Sequence, residues 1–294
     1  MESPVRRGNS FVRRLALFIL PAAMLICLPA ADAGTMTRED VLAVASRYAR
    51  HAWTCSRGNS HRLYNDLRSG KRYRGVSYNM GGFDSLNDFE RKTRRGIIAG
   101  NSKRRCGRSL CIRRNLAGLD CSGFMSRCFG IPRHTTRTLP QISAVVRRVD
   151  LEPGDILNAE GYHAMLFDRF DDEGQIWVYE SVVRLRRSGS PPAGVAHRAV
   201  DWDRRYTARR LYHFIHKGER VSTVRSTAVR VEPGGRLKKS VSARSSGMII
   251  DGPRFSGAGG TGSVPREVWF KIDYDDGTQG WSPVRYLVLT GGRE

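Results

Sequence analysis

The sequence predicts an α+β fold followed by a small all-β segment, and three observations predict it. Two segments, 36–53 and 120–130, repeat apolar residues at helical spacing. Strand-like runs at 164–167 and 176–182 follow turn signals at Pro153-Gly154-Asp155 and Asp171-Asp172-Glu173-Gly174. From about residue 220, short alternating segments separated by Gly and Pro turns replace both patterns.

The first 33 residues read as an export signal. Arg6, Arg7, Arg13 and Arg14 form a positive start, 15–28 an apolar core interrupted by Pro21, and Ala31-Asp32-Ala33 a cleavage pattern, so the mature chain starts at Gly34. The core is short for an uncleaved anchor and contains Pro. Cys27 follows Ile26 rather than the small residue a lipoprotein needs, and Arg13-Arg14 lacks the rest of a twin-arginine pattern. The expectation is a secreted or periplasmic protein with no transmembrane segment in the mature chain.

The mature 261 residues suffice for one good core plus a small domain. The formal charge is +22, or +20 without the signal, and 43 of the 50 basic residues are Arg. Arg's planar fork suits carboxylates and phosphates. Such a charge draws an exported protein to anionic envelope polymers or lipid head groups. Nucleic acid is not an expected partner, because no groove-reading motif is present and export removes the chain from it. A generally Arg-rich composition is the plainer account of the charge.

Residues 36–53 read as a helix capped by Thr37, with Asp40 in the capping-box position. Val41, Leu42, Val44, Ala45, Tyr48, Ala49 and Trp53 make its apolar face. Residues 54–74 are polar and basic. The stretch 91–114 holds ten Lys or Arg and no acid, and reads as a solvated face or as a basic flap beside a cleft.

Asp120 is a candidate N-cap, and Phe124, Cys128 and Phe129 fall on one side of the helix it opens. Cys121 then stands at the first turn, where unpaired N–H groups and the helix dipole favour a thiolate. A buried or disulfide-bonded Cys suits the same place. Catalysis requires a base, and a third group to hold it. His163, just before the apolar strand 164–167, is the best-placed base; His51, His61, His134, His197, His213 and His216 fit less well. With Cys121 as nucleophile and Cys27 lost, four cysteines remain, and an even number in an oxidising compartment permits two disulfides. Of the three pairings, Cys106 with Cys111 closes a small loop and leaves Cys55 for Cys128. The competing zinc site lacks a C-x-x-C pair.

Four motifs in order, over about 110 residues, resemble those of the NlpC/P60 cysteine peptidases, which are cell-wall hydrolases. Gly75-Val76-Ser77-Tyr78-Asn79-Met80-Gly81-Gly82 resembles the Tyr-x-x-Gly-Gly segment, and Asp120-Cys121-Ser122-Gly123-Phe124 the nucleophile motif. Leu151-Glu152-Pro153-Gly154-Asp155-Ile156-Leu157 resembles the Pro-Gly-Asp turn, and Tyr162-His163-Ala164-Met165-Leu166-Phe167 the strand carrying the base. The resemblance implies a papain-like domain, helices packed on an antiparallel sheet, whose first helix packs on the nucleophile helix. It implies Cys121 as nucleophile, His163 as base and Tyr78 as a substrate contact. Glu180 falls where the family has a His or another polar residue. A carboxylate there would fix the imidazole tautomer, and a solvent-facing Glu is the other reading. The Cys121 N–H, with Asp120 or Ser122 nearby, would form the oxyanion site. The basic insertion at about 83–117 replaces a short connection in the family.

Thr227-Ala228-Val229-Arg230-Val231-Glu232-Pro233-Gly234 and Val268-Trp269-Phe270-Lys271-Ile272-Asp273-Tyr274, with Asp276-Gly277, Gly280-Trp281 and Tyr286-Leu287, resemble bacterial SH3-type modules, which often tether hydrolases to wall peptides. The implied organisation is a signal at 1–33, a catalytic domain at 34–217 and a small all-β SH3-like barrel at 220–294. Segments 188–194 and 256–263 read as loops. The implied substrate is the peptidoglycan stem peptide, cut between a γ-linked D-glutamyl residue and a diamino acid. Nothing indicates a metal or organic cofactor. The rival functions are an amidase or acyltransferase using the same dyad on another envelope substrate, and a catalytically silent wall-binding protein.

Overall fold

The first helix, α1 (Arg38–Arg50), begins where its capping box places it: Thr37 accepts from the Asp40 N–H, and the Asp40 side chain accepts from the Thr37 N–H. It stops short of Trp53, because the chain turns into β1 (Ala52–Thr54), which pairs with β2 (Arg72–Arg74) and sets Trp53 against Tyr73 and Phe89. The basic insertion holds α2 (Leu86–Arg94) and a small hairpin, β3 (Arg105–Cys106) and β4 (Ser109–Leu110). The nucleophile segment forms α3 (Cys121–Cys128). Tyr48 of α1 meets Phe124 of α3 edge-on at 5.9 Å, so the first helix does pack on this one.

The structure is a computed structural model that describes residues 36–184, 192–256 and 267–290. The export signal, most of the 188–194 loop and most of the 256–263 run lie outside the described residues. No described helix is long and apolar enough to cross a membrane.

After α3 the described elements are strands and short 3-10 turns. Six strands, β5 (Ser143–Val146), β6 (Ile156–Ala159), β7 (His163–Phe170), β8 (Ile176–Val182), β9 (Gly194–Val200) and β10 (Thr207–Leu211), lie in the order β5-β10-β6-β7-β8-β9. Seven more follow: β11 (Arg220–Thr223), β12 (Thr227–Arg230), β13 (Leu237–Val241), β14 (Ser246–Ser256), β15 (Glu267–Tyr274), β16 (Gln279–Pro283) and β17 (Leu287–Leu289). Their order is β13-β12-β16-β15-β14-β11-β17. The two runs join where β17 pairs in parallel with β5, Val288 opposite Val145 and Leu289 opposite Val146.

This overturns the expected fold class. In place of a papain-like α+β domain with a separate SH3-like barrel, the described chain is mostly β, with one 13-stranded mixed sheet. Its three α-helices have 13, 9 and 8 residues. The physical cause is backbone satisfaction. The apolar β17 pairs with β11 on one side and β5 on the other, so neither run ends there with unpaired N–H and C=O groups. The buried guanidinium of Arg209, on β10, fastens β5 beside that seam by donating to Ser143 Oγ at 2.9 Å and Ser143 O at 2.6 Å. Burial pulls its pKa down to about 10, and the Glu160 charge opposes that fall.

Strands β7, β8 and β9 position the chemistry. Residues directly opposite share a face: Phe167 with Val178, Val178 with Arg198, and Tyr179 with His197. By period two, His163, Glu180 and Arg198 therefore lie on one face, and Tyr179 and His197 on the other.

Candidate active site

Asp120 caps α3 and is itself fully engaged. Its Oδ1 accepts from the Gly123 N–H at 2.7 Å and from Ser122 Oγ at 3.1 Å. Its Oδ2 accepts from the Gly81 N–H at 2.9 Å and from Arg133 at 2.6 Å. Asp120 and Ser122 are thus bonded to each other and buried, and their contacts hold the first turn in place. The Gly-Gly segment packs directly on that turn. A Cβ on Gly123 would stand 2.5 Å from Gly82 O, so only glycine admits this approach. Cys121 is the first helical residue, 8% exposed.

His163 opens β7, held opposite Ala159 of β6. Its Nε2 lies 2.6 Å from Glu180 Oε2, and β7 packs against α3, the helix that Cys121 opens. With Nε2 engaged, the nitrogen left for Cys121 is Nδ1. Glu180 is 1% exposed, so it is not a solvent-facing Glu. Its other oxygen, Oε1, accepts from Arg198 Nε. Burial alone would lower the His163 pKa, but the hydrogen bonds and charges of Cys121 and Glu180 override it and push the value up to about 10. Burial favours the protonated form of Glu180, yet His163 and Arg198 hold its pKa below the ordinary carboxylate range.

Tyr78 is buried, with its hydroxyl donating to Met80 Sδ at 3.3 Å. Burial raises its pKa, and the nearby Cys121 and Asp120 raise it further. The backbone at Tyr78 runs beside Leu119, two residues before the nucleophile. An open groove of about 510 Å³ reaches Tyr78, His163 and Glu180 and continues past Arg198, Tyr162 and Tyr206. Cys121 is not among the residues that line it, and neither is any residue of the basic insertion. The insertion acts elsewhere: Lys92 of α2 bonds Asp84 at 2.6 Å, and Asp84 accepts from the Gly118 N–H at 2.9 Å, just ahead of the nucleophile.

The Cys106–Cys111 disulfide forms. The companion pairing does not: Cys55 and Cys128 are free and buried, and burial raises both thiol pKa values. Among the described residues no three His, Cys, Asp or Glu side chains gather as metal ligands would. His134 is buried, with its N–H on Ser126 Oγ at 2.9 Å. His197 lies on the far face beside Asp168. Sequence reasoning missed Arg198 and Arg133. Arg198 shows itself only once β9 is set in register with β8; Arg133 sits in a polar loop that carries no local signal. Compared with known proteins, the chain matches no family model, no characterised sequence and no solved structure.

Proposed function

We propose that the chain is an exported cysteine peptidase that cleaves peptidoglycan stem peptides through Cys121, His163 and Glu180. The observation that carries this is the buried Glu180 carboxylate 2.6 Å from His163, on strands packed against the helix that Cys121 opens. A nucleophile, a base and an orienting acid in line are what acyl transfer needs. The resemblance of four ordered motifs to NlpC/P60 peptidases supports the γ-D-glutamyl–diamino acid bond as the target. The +20 charge left once the signal is removed suits an anionic envelope.

In the proposed reaction, His163 holds the Cys121 thiolate as an ion pair. The sulfur adds to the amide carbonyl, and the Cys121 N–H at the helix start faces the developing oxyanion. His163 gives its proton to the leaving amine as the C–N bond breaks, which leaves a thioester. Water, losing a proton to His163, then cleaves the thioester, and the thiol is restored. Glu180 accepts from Nε2–H throughout, which keeps Nδ1 turned to Cys121 and stabilises the imidazolium.

The test is a digest. The mature protein and Cys121→Ala are incubated with purified peptidoglycan and defined muropeptides, and products are read by mass spectrometry. New peptide fragments from the wild type alone are the expected result, and they name the bond. Equal products from both proteins would sink the scheme. No products, with both proteins retained by the sacculus, would replace it with a silent wall-binding protein.

A further inference from the structure

The groove that runs from His163 passes a cation that takes no part in the proposed bond-making. Arg198 spends one nitrogen, Nε, on Glu180 Oε1. No described residue takes its two terminal nitrogens, although 44% of the side chain is open and lines the groove. The neighbouring charges are already committed or screened. Asp203 is held by Arg205 through Nε at 2.9 Å and through Nη2, and Arg205 lies over the Tyr162 ring at 4.4 Å. Glu180 is held by His163 and Arg198 together. Asp201 lines the groove too, but it is exposed to water, where its charge is screened.

A guanidinium anchored by Nε is a planar fork with fixed direction. Its terminal N–H groups match the two oxygens of a carboxylate. Tyr206 and Tyr162 stand beside the same wall, with ring centroids 6.4 and 6.5 Å from the His163 ring, and so limit what else can enter there. We propose that Arg198 forms a carboxylate-binding subsite of the groove, so that the protein selects peptides bearing a free carboxylate near the cleaved bond. The proposal rests on the peptidase reading and names its specificity. A γ-linked D-glutamyl residue leaves its α-carboxylate free, and the following diamino acid carries others, so such a substrate offers the group. The anchoring carboxylate is Glu180 itself. Anion binding at Arg198 therefore meets the group that orients His163, and selection and positioning share one side chain.

The experiment separates binding from turnover. The probe is the tripeptide L-Ala-γ-D-Glu-diaminopimelate, compared with two analogues in which the glutamyl or a diaminopimelyl carboxyl is a carboxamide. Affinities are measured by calorimetry on the full chain carrying Cys121→Ala, alone and combined with Arg198→Gln or Arg198→Lys, with folding checked by thermal unfolding. The expected result is that one of the two amides binds about tenfold or more weakly than the acid. Arg198→Gln should erase that difference, while Arg198→Lys, which keeps the charge without the fork, should retain part of it. Equal binding of acid and amides, no binding of any, or discrimination that survives in a folded Arg198→Gln protein would overturn the subsite. Turnover of the same peptides by the wild type reports on the peptidase separately. Cys121-dependent cleavage without discrimination removes the subsite and leaves the enzyme. Arg198-dependent binding without cleavage removes the enzyme and leaves the subsite.

Discussion

Strands β7, β8 and β9 carry two histidine–carboxylate pairs, one on each face, and they differ in what surrounds them. His163 and Glu180 meet at 2.6 Å, and the carboxylate is buried. His197 and Asp168 meet at 2.9 Å, with more of both side chains open to water. Each carboxylate is shared with an arginine, Arg198 in the first pair and Arg169 in the second. His163 stands on a strand packed against α3, the helix that Cys121 opens, whereas His197 lies flat on Tyr179, with ring centroids 4.2 Å apart. A histidine beside an acid is therefore not a site by itself. Burial of the acid and a nucleophile brought by a second element distinguish the two.

The largest effect that tests this contrast is on turnover. His163→Ala removes the proposed base and acid, and kcat/KM on a cleaved muropeptide is expected to fall by about 10³. His197→Ala changes a ring stack on the opposite face, and its kcat/KM is expected to stay within about threefold. Comparable losses in both variants would show that the faces are not functionally distinct.

Stability gives the next contrast. Glu180→Gln leaves His163 and Arg198 facing a neutral amide in a buried position. Removing one partner of such a cluster costs about 3–5 kcal/mol, the upper end for burial as complete as that of Glu180. Asp168→Asn, in a partly open pair, is expected to cost about 1 kcal/mol or less. Urea unfolding of the two variants measures both, and equal costs would contradict the role given to burial.

The parts of this arrangement that were readable in the sequence are those with local signals. Thr37 and Asp40 announce α1, and Asp120 announces α3, because a capping residue and an apolar period lie within one turn of each other. His163 follows from a turn and an apolar strand, while Glu180 is placed only by the family position it falls on. What could not be read depends on partners far along the chain. Leu287-Val288-Leu289 looks like the last strand of an independent barrel, and nothing in those residues tells that β5 is its neighbour. Arg198 looks like any surface arginine until register sets it diagonally across from Glu180. An even number of cysteines allowed a Cys55–Cys128 bond, but parity contains no geometry, and both thiols are buried apart from any partner sulfur.

The smallest expected effect is also the most specific, a dependence of the Glu180→Gln penalty on pH. The His163 pKa is raised in the folded protein from an ordinary 6.5 to about 10. Its contribution to stability is therefore complete below pH 6.5 and is lost as pH rises through about 10. The Glu180 pKa is lowered from an ordinary 4.5, so its contribution is complete above pH 4.5 and is lost as pH falls through the lowered value. Both contributions are whole only between about pH 4.5 and 6.5. The difference in Tm between the wild type and Glu180→Gln should be largest in that window and shrink on both sides. Thermal unfolding at several pH values from acid to about 10 measures it. A difference that stays constant across the range would mean that Glu180 is held by packing alone and that the charge on His163 has no part in the pair.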